Sequence, residues 1–282
     1  MSYSTRFELE LGTAGQPAEA ILLLQVNNAG LQMLVADRDR KPLRFSMVEF
    51  DRETAETGSL SALSEWLAEN REWTRQWGRV VVVHDCQQAT IVPASLYNVD
   101  NGKELLDLQF GDLFKGTLLT EQITGRQDYT VYRISTEAYH TLSAVNGITV
   151  HRHLYSLWMA WLEKQPTAAD GQAFMLFEAS HVVMAVRKED WLLLQQYEYQ
   201  QPEDISYYLL AVLSQYDLSP ETAEVHFNGW IDLESSLYAE LKKYILNLRV
   251  AAVPGDLTWD LRQLDDQPAH YFTPLMQMAT CV

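Results

Sequence analysis

The sequence predicts an α/β protein of two similar lobes, and three observations predict it. Short apolar runs at 20–26, 80–83 and 173–177 read as strands buried on both faces. The order strand-strand-strand-helix-strand occurs twice, offset by 152 residues from Ile21 to Ala173 and by 144 from Ser59 to Glu203. Between the two copies, Gln165-Pro166-Thr167-Ala168-Ala169-Asp170-Gly171 has the Pro, Gly and small polar residues of a linker. The lobes are therefore expected at 1–165 and 172–282.

In the first lobe the strand at 20–26 is followed by Asn27-Asn28-Ala29-Gly30, a turn composition that tolerates positive φ, and 31–36 returns. A polar turn at 37–42 leads into 43–50, completing a meander. Residues 59–73 carry Leu60, Leu63, Trp66 and Leu67 at helical spacing, with Ser59 as the N-cap. Gly78 then precedes Val80-Val81-Val82-Val83, whose β-branched side chains mark an interior parallel strand reached by a helical crossover.

The second lobe repeats this: strands at 173–177, 182–187 and 191–194, with turns at 178–181 and 188–190. Pro202, with Glu203 and Asp204 in the first turn, opens a helix whose apolar face is Ile205, Tyr208, Leu209, Val212 and Leu213. A strand at 223–227 and a periodic helix at 233–246 follow. Between the repeats, 100–112 reads as partly helical and 117–123 and 129–134 as strands. Residues 136–145 read as a helix capped by Thr136 with Gly147 after it, and 153–164 as a further amphipathic helix.

Across its 282 residues the chain has 21 Lys+Arg against 38 Asp+Glu, a net charge of −17, with 47% hydrophobic residues. That balance suits a folded protein and repels DNA or RNA, and no basic cluster offsets it. Two cysteines, Cys86 and Cys281, give neither a disulfide framework nor a zinc-ligand spacing. The acidic start lacks the apolar core of a signal peptide, and no run of about 18 apolar residues occurs. A cytoplasmic protein without direct membrane insertion is expected.

Several segments carry a resemblance. Ala89-Thr90-Ile91-Val92-Pro93, Glu203-Asp204-Ile205-Ser206-Tyr207-Tyr208, Asn228-Gly229 and Leu241-Lys242-Lys243-Tyr244-Ile245, in this order, resemble a bacterial family classed as a domain of unknown function. That family has the actin-like ATPase (ribonuclease H-like) fold and is similar to pilus-assembly actin-like proteins. The resemblance implies a duplicated fold of two lobes, each with a mixed five-stranded sheet flanked by helices, facing each other across a cleft that holds a nucleotide in active relatives.

Active relatives begin each lobe's first hairpin with Asp and fill it with glycine, so that backbone N–H groups reach phosphate oxygens and the Asp acts through Mg²⁺. Here the first hairpin has Asn27 in the acid's place and Gly30 as its one glycine. The second has Glu178, on a longer arm, then Ala179, Ser180 and bulky His181. The glycine turn under the adenosine corresponds to Asn228-Gly229, where Trp230 replaces a small residue. Losing three such contacts costs ATP about 4–9 kcal/mol, enough to abolish a micromolar site. Asn27, Gly30, Glu178, Ser180 and Gly229 are thus expected to be vestigial nucleotide-cleft positions.

Other residues admit plainer readings. A ribonuclease H-type nuclease needs several carboxylates at two metals, and Asn27 argues against it. His84-Asp85-Cys86 reads as a strand-end turn with an inert thiol rather than a nucleophile beside its base. His151 and His153 lack a third ligand and read as helix-start or surface residues. Gln87 and Gln88 follow the valine strand, where relatives can orient a water, and stay unassigned. The second lobe's tyrosines read mainly as core, with Tyr197 and Tyr199 able to form an exposed stripe on one strand.

The expectation is a non-catalytic actin-like scaffold or protein-binding module, with no catalytic residue, no metal and no cofactor. It would bind an unidentified protein partner, or a second copy as a homodimer. The alternative is an ATPase- or kinase-like protein that holds a nucleotide, with ATP and Mg²⁺ as cofactors, or another small ligand in the cleft.

Overall fold

Charge-free apolar strands form the centre of each main sheet in a computed structural model of the chain. It describes residues 2–12, 17–51, 59–74, 77–145, 149–251, 264 and 267–282; the expected stop at Gly147 lies outside them. Two compact units result. One takes Met1–Glu163 and Leu275–Val282, the other Lys164–Gly255 and Leu264–Pro274.

The first unit runs β1 (Tyr3–Glu10), β2 (Ile21–Asn27), β3 (Gly30–Ala36), β4 (Pro42–Phe50), α1 (Leu60–Glu69), β5 (Arg79–His84), β6 (Ala89–Pro93) and α2 (Gly102–Phe110). It continues with β7 (Thr117–Gln122), β8 (Asp128–Ile134), α3 (Thr136–Ser143), β9 (Thr149–His153) and α4 (Leu154–Leu162). Its main sheet has the order β1-β4-β3-β2-β5-β9. The valine strand β5 lies parallel to both β2 and β9, as a crossover demands. Leu22, Leu24, Met33, Val80 and Val82 pack one face of this sheet against Ala62, Leu63 and Trp66 of α1. Indoles are a large part of this unit's interior: Trp66, Trp73, Trp158 and Trp161 are all buried.

Four expectations need correction here. The sheet has six strands rather than five, because β1, which alternates charged and apolar residues, adds antiparallel to β4. The helix read at 153–164 is present as α4, Leu154–Leu162 with His153 as its N-cap, but all nine of its residues are buried, so it is a core helix rather than an amphipathic one. Ser59 is itself helical (φ −72°, ψ −6°) and makes no side-chain cap; α1 stops at Glu69, with a tight turn at Arg71–Trp73. Ser135, not Thr136, caps α3, its Oγ accepting from the Ala138 N–H. Ser135→Ala is therefore expected to cost about 1 kcal/mol in urea unfolding, whereas Ser59→Ala is close to neutral.

A second, small antiparallel sheet, β6-β8-β7, carries α2. Its core is only Val92, Leu106 and Val131. Arg133, buried on β8, supplements it by donating to the Phe114 carbonyl (2.9 Å) and to Asp107 on α2 (2.6 Å).

The second unit runs β10 (Gln172–Phe177), β11 (His181–Arg187), β12 (Trp191–Glu198), α5 (Pro202–Gln215), β13 (Glu224–Gly229), α6 (Ser236–Leu241) and β14 (Asn247–Val250). A last helix, α7 (Thr273–Ala279), closes the described chain. The sheet order β12-β11-β10-β13-β14 repeats β4-β3-β2-β5-β9 of the first unit, with β10, β13 and β14 parallel. Its core is Met175, Phe177, Met184, Leu209, Leu213 and Phe227 with their neighbours. The helix read at 233–246 is shortened to α6. Ser235 caps its start through Oγ, and after Leu241 the backbone tightens to three-residue bonds (Lys243 N–H to Glu240 O, Tyr244 N–H to Leu241 O) before entering β14. No helix among the described residues is long and apolar enough to cross a membrane.

Candidate functional site

In the first unit the parallel pairing of β2 with β5 sets the C-terminal ends of both strands side by side, Val26 opposite His84. Asn27 and Asp85, 58 residues apart, meet there: Asn27 Nδ2 donates to Asp85 Oδ2 at 2.9 Å. Asn27 Oδ1 accepts from the N–H groups of Ala29 (2.9 Å) and Gly30 (3.0 Å). The hairpin is thus closed on its own first side chain, the local turn that Asn favours. Gly30 has a packing reason, since a Cβ there would lie 2.0 Å from the Val48 carbonyl oxygen on β4.

In the second unit Glu178 follows β10, is 2% exposed, and donates its N–H to the His181 carbonyl (2.9 Å). Ser180 is exposed at the tip, its Oγ 3.4 Å from His181 Nδ1. Gly229 ends β13 opposite Phe177 at the end of β10, so Glu178 and Gly229 close neighbouring strand ends. Gly229 has φ +83°. The next residue, Trp230, donates its N–H to Phe177 O at 2.8 Å and sets its partly buried indole tilted against Tyr271 and edge-on to Phe272.

Each unit therefore gathers its own expected site residues, Asn27 with Gly30 and Glu178 with Ser180 and Gly229. Ser180 also lines an open depression of about 470 Å³ with Glu198, Tyr199, Gln200, Asp204 and Tyr208. The sequence reading missed it, because Asp204 was visible only as a first-turn acid. It accepts from the N–H groups of Gln200 and Gln201, and these bonds hold its carboxyl below the usual range.

The histidines differ from expectation. His151 lies in β9 opposite Val82, and its ring meets that of His84 edge to edge, nearly coplanar (12°) with centroids 5.1 Å apart. Ser143 Oγ donates to the Tyr139 carbonyl (2.7 Å), so it accepts from His151 Nε2 (2.8 Å), and His151 Nδ1 accepts from His84 Nε2 (2.8 Å). The His151 ring is then neutral. His153 does start a helix, but as a buried N-cap: Nδ1 accepts from Tyr155 N–H (3.1 Å) and Nε2 donates to the Cys86 carbonyl (3.2 Å). Burial lowers the pKa of all three rings, that of His153 to about 4. Burial likewise pushes the Cys86 thiol up, and its Sγ lies 3.8 Å from the Arg133 carbonyl, the surroundings of an inert thiol. Among the described residues no group of three or more His, Cys, Asp or Glu side chains is arranged to hold a metal ion. Tyr197 and Tyr199 are half-buried against the second unit's core, not an exposed stripe; Tyr197 stacks on Tyr208 at 5.0 Å.

Residues 12–248 match the model of a family described as "Protein of unknown function (DUF3822)". The chain belongs to the DUF3822 family. No curated protein matches this DUF3822 chain in sequence. Among solved structures it is similar to a Bacteroides thetaiotaomicron protein with actin-like ATPase fold and unknown function. That match has TM-score 0.78 and 15% identity over 96% of this chain and 100% of that one. It is also similar to a chain of the PilM–PilN type IV pilus biogenesis complex (TM-score 0.62, 12% identity, 92% and 96% covered). A third likeness is to the ethanolamine utilization protein EutJ from Carboxydothermus hydrogenoformans (0.51, 9%, 96% and 92%). At these identities the likeness is one of fold. This DUF3822 chain has the actin-like ATPase fold.

Proposed function

We propose that this chain is a non-catalytic actin-like scaffold that holds a protein partner in the cytoplasm, and that its hairpins keep the fold without binding Mg-ATP. One observation carries the reading: Asn27 Oδ1 already accepts the Ala29 and Gly30 N–H groups, the donors that a phosphate would need. A phosphate oxygen would have to displace that acceptor beside the carboxylate of Asp85. In the second unit Ala179 and Ser180 stand where glycine would bring backbone against phosphate, and Glu178 is buried. These residues do not suit a magnesium–triphosphate group. The partner half of the reading is supported by the likeness to a chain of the PilM–PilN complex, an assembly of two proteins.

Millimolar Mg-ATP, Mg-GTP or sugars are expected to leave the melting temperature unchanged, because a ligand that binds only the folded state must raise it. Pull-down from the source cells is expected to return one stoichiometric protein. Micromolar Mg-ATP affinity by calorimetry would overturn the reading.

A further inference from the structure

The two main sheets protect their edges differently. β1, at the edge of the first, carries Arg6, Glu8 and Glu10 and a register shift between Thr5 and Phe7, features that discourage pairing with another strand. β12, at the edge of the second, pairs among the described residues only with β11 and is eight residues long. From Trp191 to Tyr197 it has no Lys, Arg, Asp, Glu or Pro. Its one irregularity lies at the start, opposite Val186 and Arg187, so Leu193 to Glu198 is regular extended chain. Leu192, Gln195 and Glu198 are exposed along it. Alternate backbone N–H and C=O groups of such an edge point away from the sheet. The other edge of this sheet, β14, has only four residues and carries Arg249.

We propose that β12 is a dimer interface, pairing antiparallel with β12 of a second copy about a two-fold axis at Gln195. The register follows from the pleat. Leu193 and Tyr197 pack on the core side of the sheet, so only partners of the same parity keep both cores on one side. An axis at Gln195 sets Leu193 opposite the partner's Tyr197, Leu194 opposite the partner's Gln196, and Glu198 opposite the partner's Leu192. An axis at Leu194 would instead set Leu193 against an amide.

Charge selects the occupant. Over most of its surface a chain of net charge −17 repels its own copies, whereas on this edge the one charge is Glu198 at the end of the ladder, set opposite the partner's uncharged Leu192. A basic foreign segment would find no carboxylate between Trp191 and Tyr197 to pair with, whereas β12 supplies its own matching apolar and amide side chains.

Sedimentation of the full chain over a wide concentration range is expected to show a monomer–dimer equilibrium. Gln195→Lys places two like charges across the axis and is expected to raise the dissociation constant about fivefold. Gln195→Glu acts the same way, and an equimolar mixture of the two variants regains the dimer. Gln195 is exposed, so circular dichroism spectra unchanged from those of the parent chain serve as the control for folding. A monomer at every concentration, which an edge kept for a foreign strand would give, overturns the proposal. So does a dimer indifferent to both substitutions and to their mixing.

Discussion

Replacing Gly229 with alanine is expected to lower the unfolding free energy by about 3–5 kcal/mol, the sum of backbone strain and forced overpacking. The position has φ +83°, which an L side chain rarely adopts, and the added Cβ would lie 2.1 Å from the Phe177 carbonyl oxygen. That atom is backbone of the neighbouring parallel strand and also accepts the Trp230 N–H, so it cannot swing aside without breaking the strand end. Gly125 is the internal control, with φ +85° and open space around its Cβ. There alanine should cost only about 1 kcal/mol, the strain alone. Urea unfolding followed by circular dichroism reads both. Equal small losses at the two glycines would mean that the close approach to Phe177 does not constrain this turn.

Acid is expected to weaken the first unit through its buried histidines. His153 titrates near 4 in the folded chain because burial disfavours the charged ring, against about 6.5 when unfolded. Above pH 6.5 the ring is neutral in both states and stability does not depend on it. Between 6.5 and 4 the unfolded chain takes up a proton that the folded chain refuses, and stability falls by about 3 kcal/mol in total. Below 4 both states are protonated and the dependence ends. His84 and His151 are lowered in the same direction and add to the loss. Glu121, raised by burial, opposes it. His153→Asn keeps a side-chain acceptor for the α4 cap and should flatten the curve of unfolding free energy against pH over this window; a curve of unchanged slope would exclude His153 as the source.

The sequence made the centre of both sheets legible because strands buried on two faces must be almost wholly apolar, as 80–83 and 173–177 are. Peripheral strands were not legible for the opposite reason. β1 alternates charge with apolar residues like any solvated chain, and β9, Thr-Val-His-Arg-His, has one apolar residue in five. The periodicity at 233–246 was real, but periodicity describes side-chain faces and not the backbone bonds, whose regular helical run gives way to mixed turns after Leu241. At the candidate site, Asn27 and Trp230 were readable as departures from a pattern. The Asn27–Asp85 contact was not, because it depends on two parallel strands ending level. The histidine chain was hidden for the same reason, His84 and His151 being 67 residues apart until β5 and β9 pair.

The placement of the indoles gives the chain two optical populations. Among the described residues, Trp66, Trp73, Trp158 and Trp161 of the first unit are at most 4% exposed, while Trp77 of that unit and Trp191 and Trp230 of the second are only partly buried. Fluorescence of the first group should shift to the red when that unit melts. The second group, already partly in contact with water, shifts less. Emission colour then follows the loss of the first unit, and a label-free scan can separate it from the backbone signal that both units share.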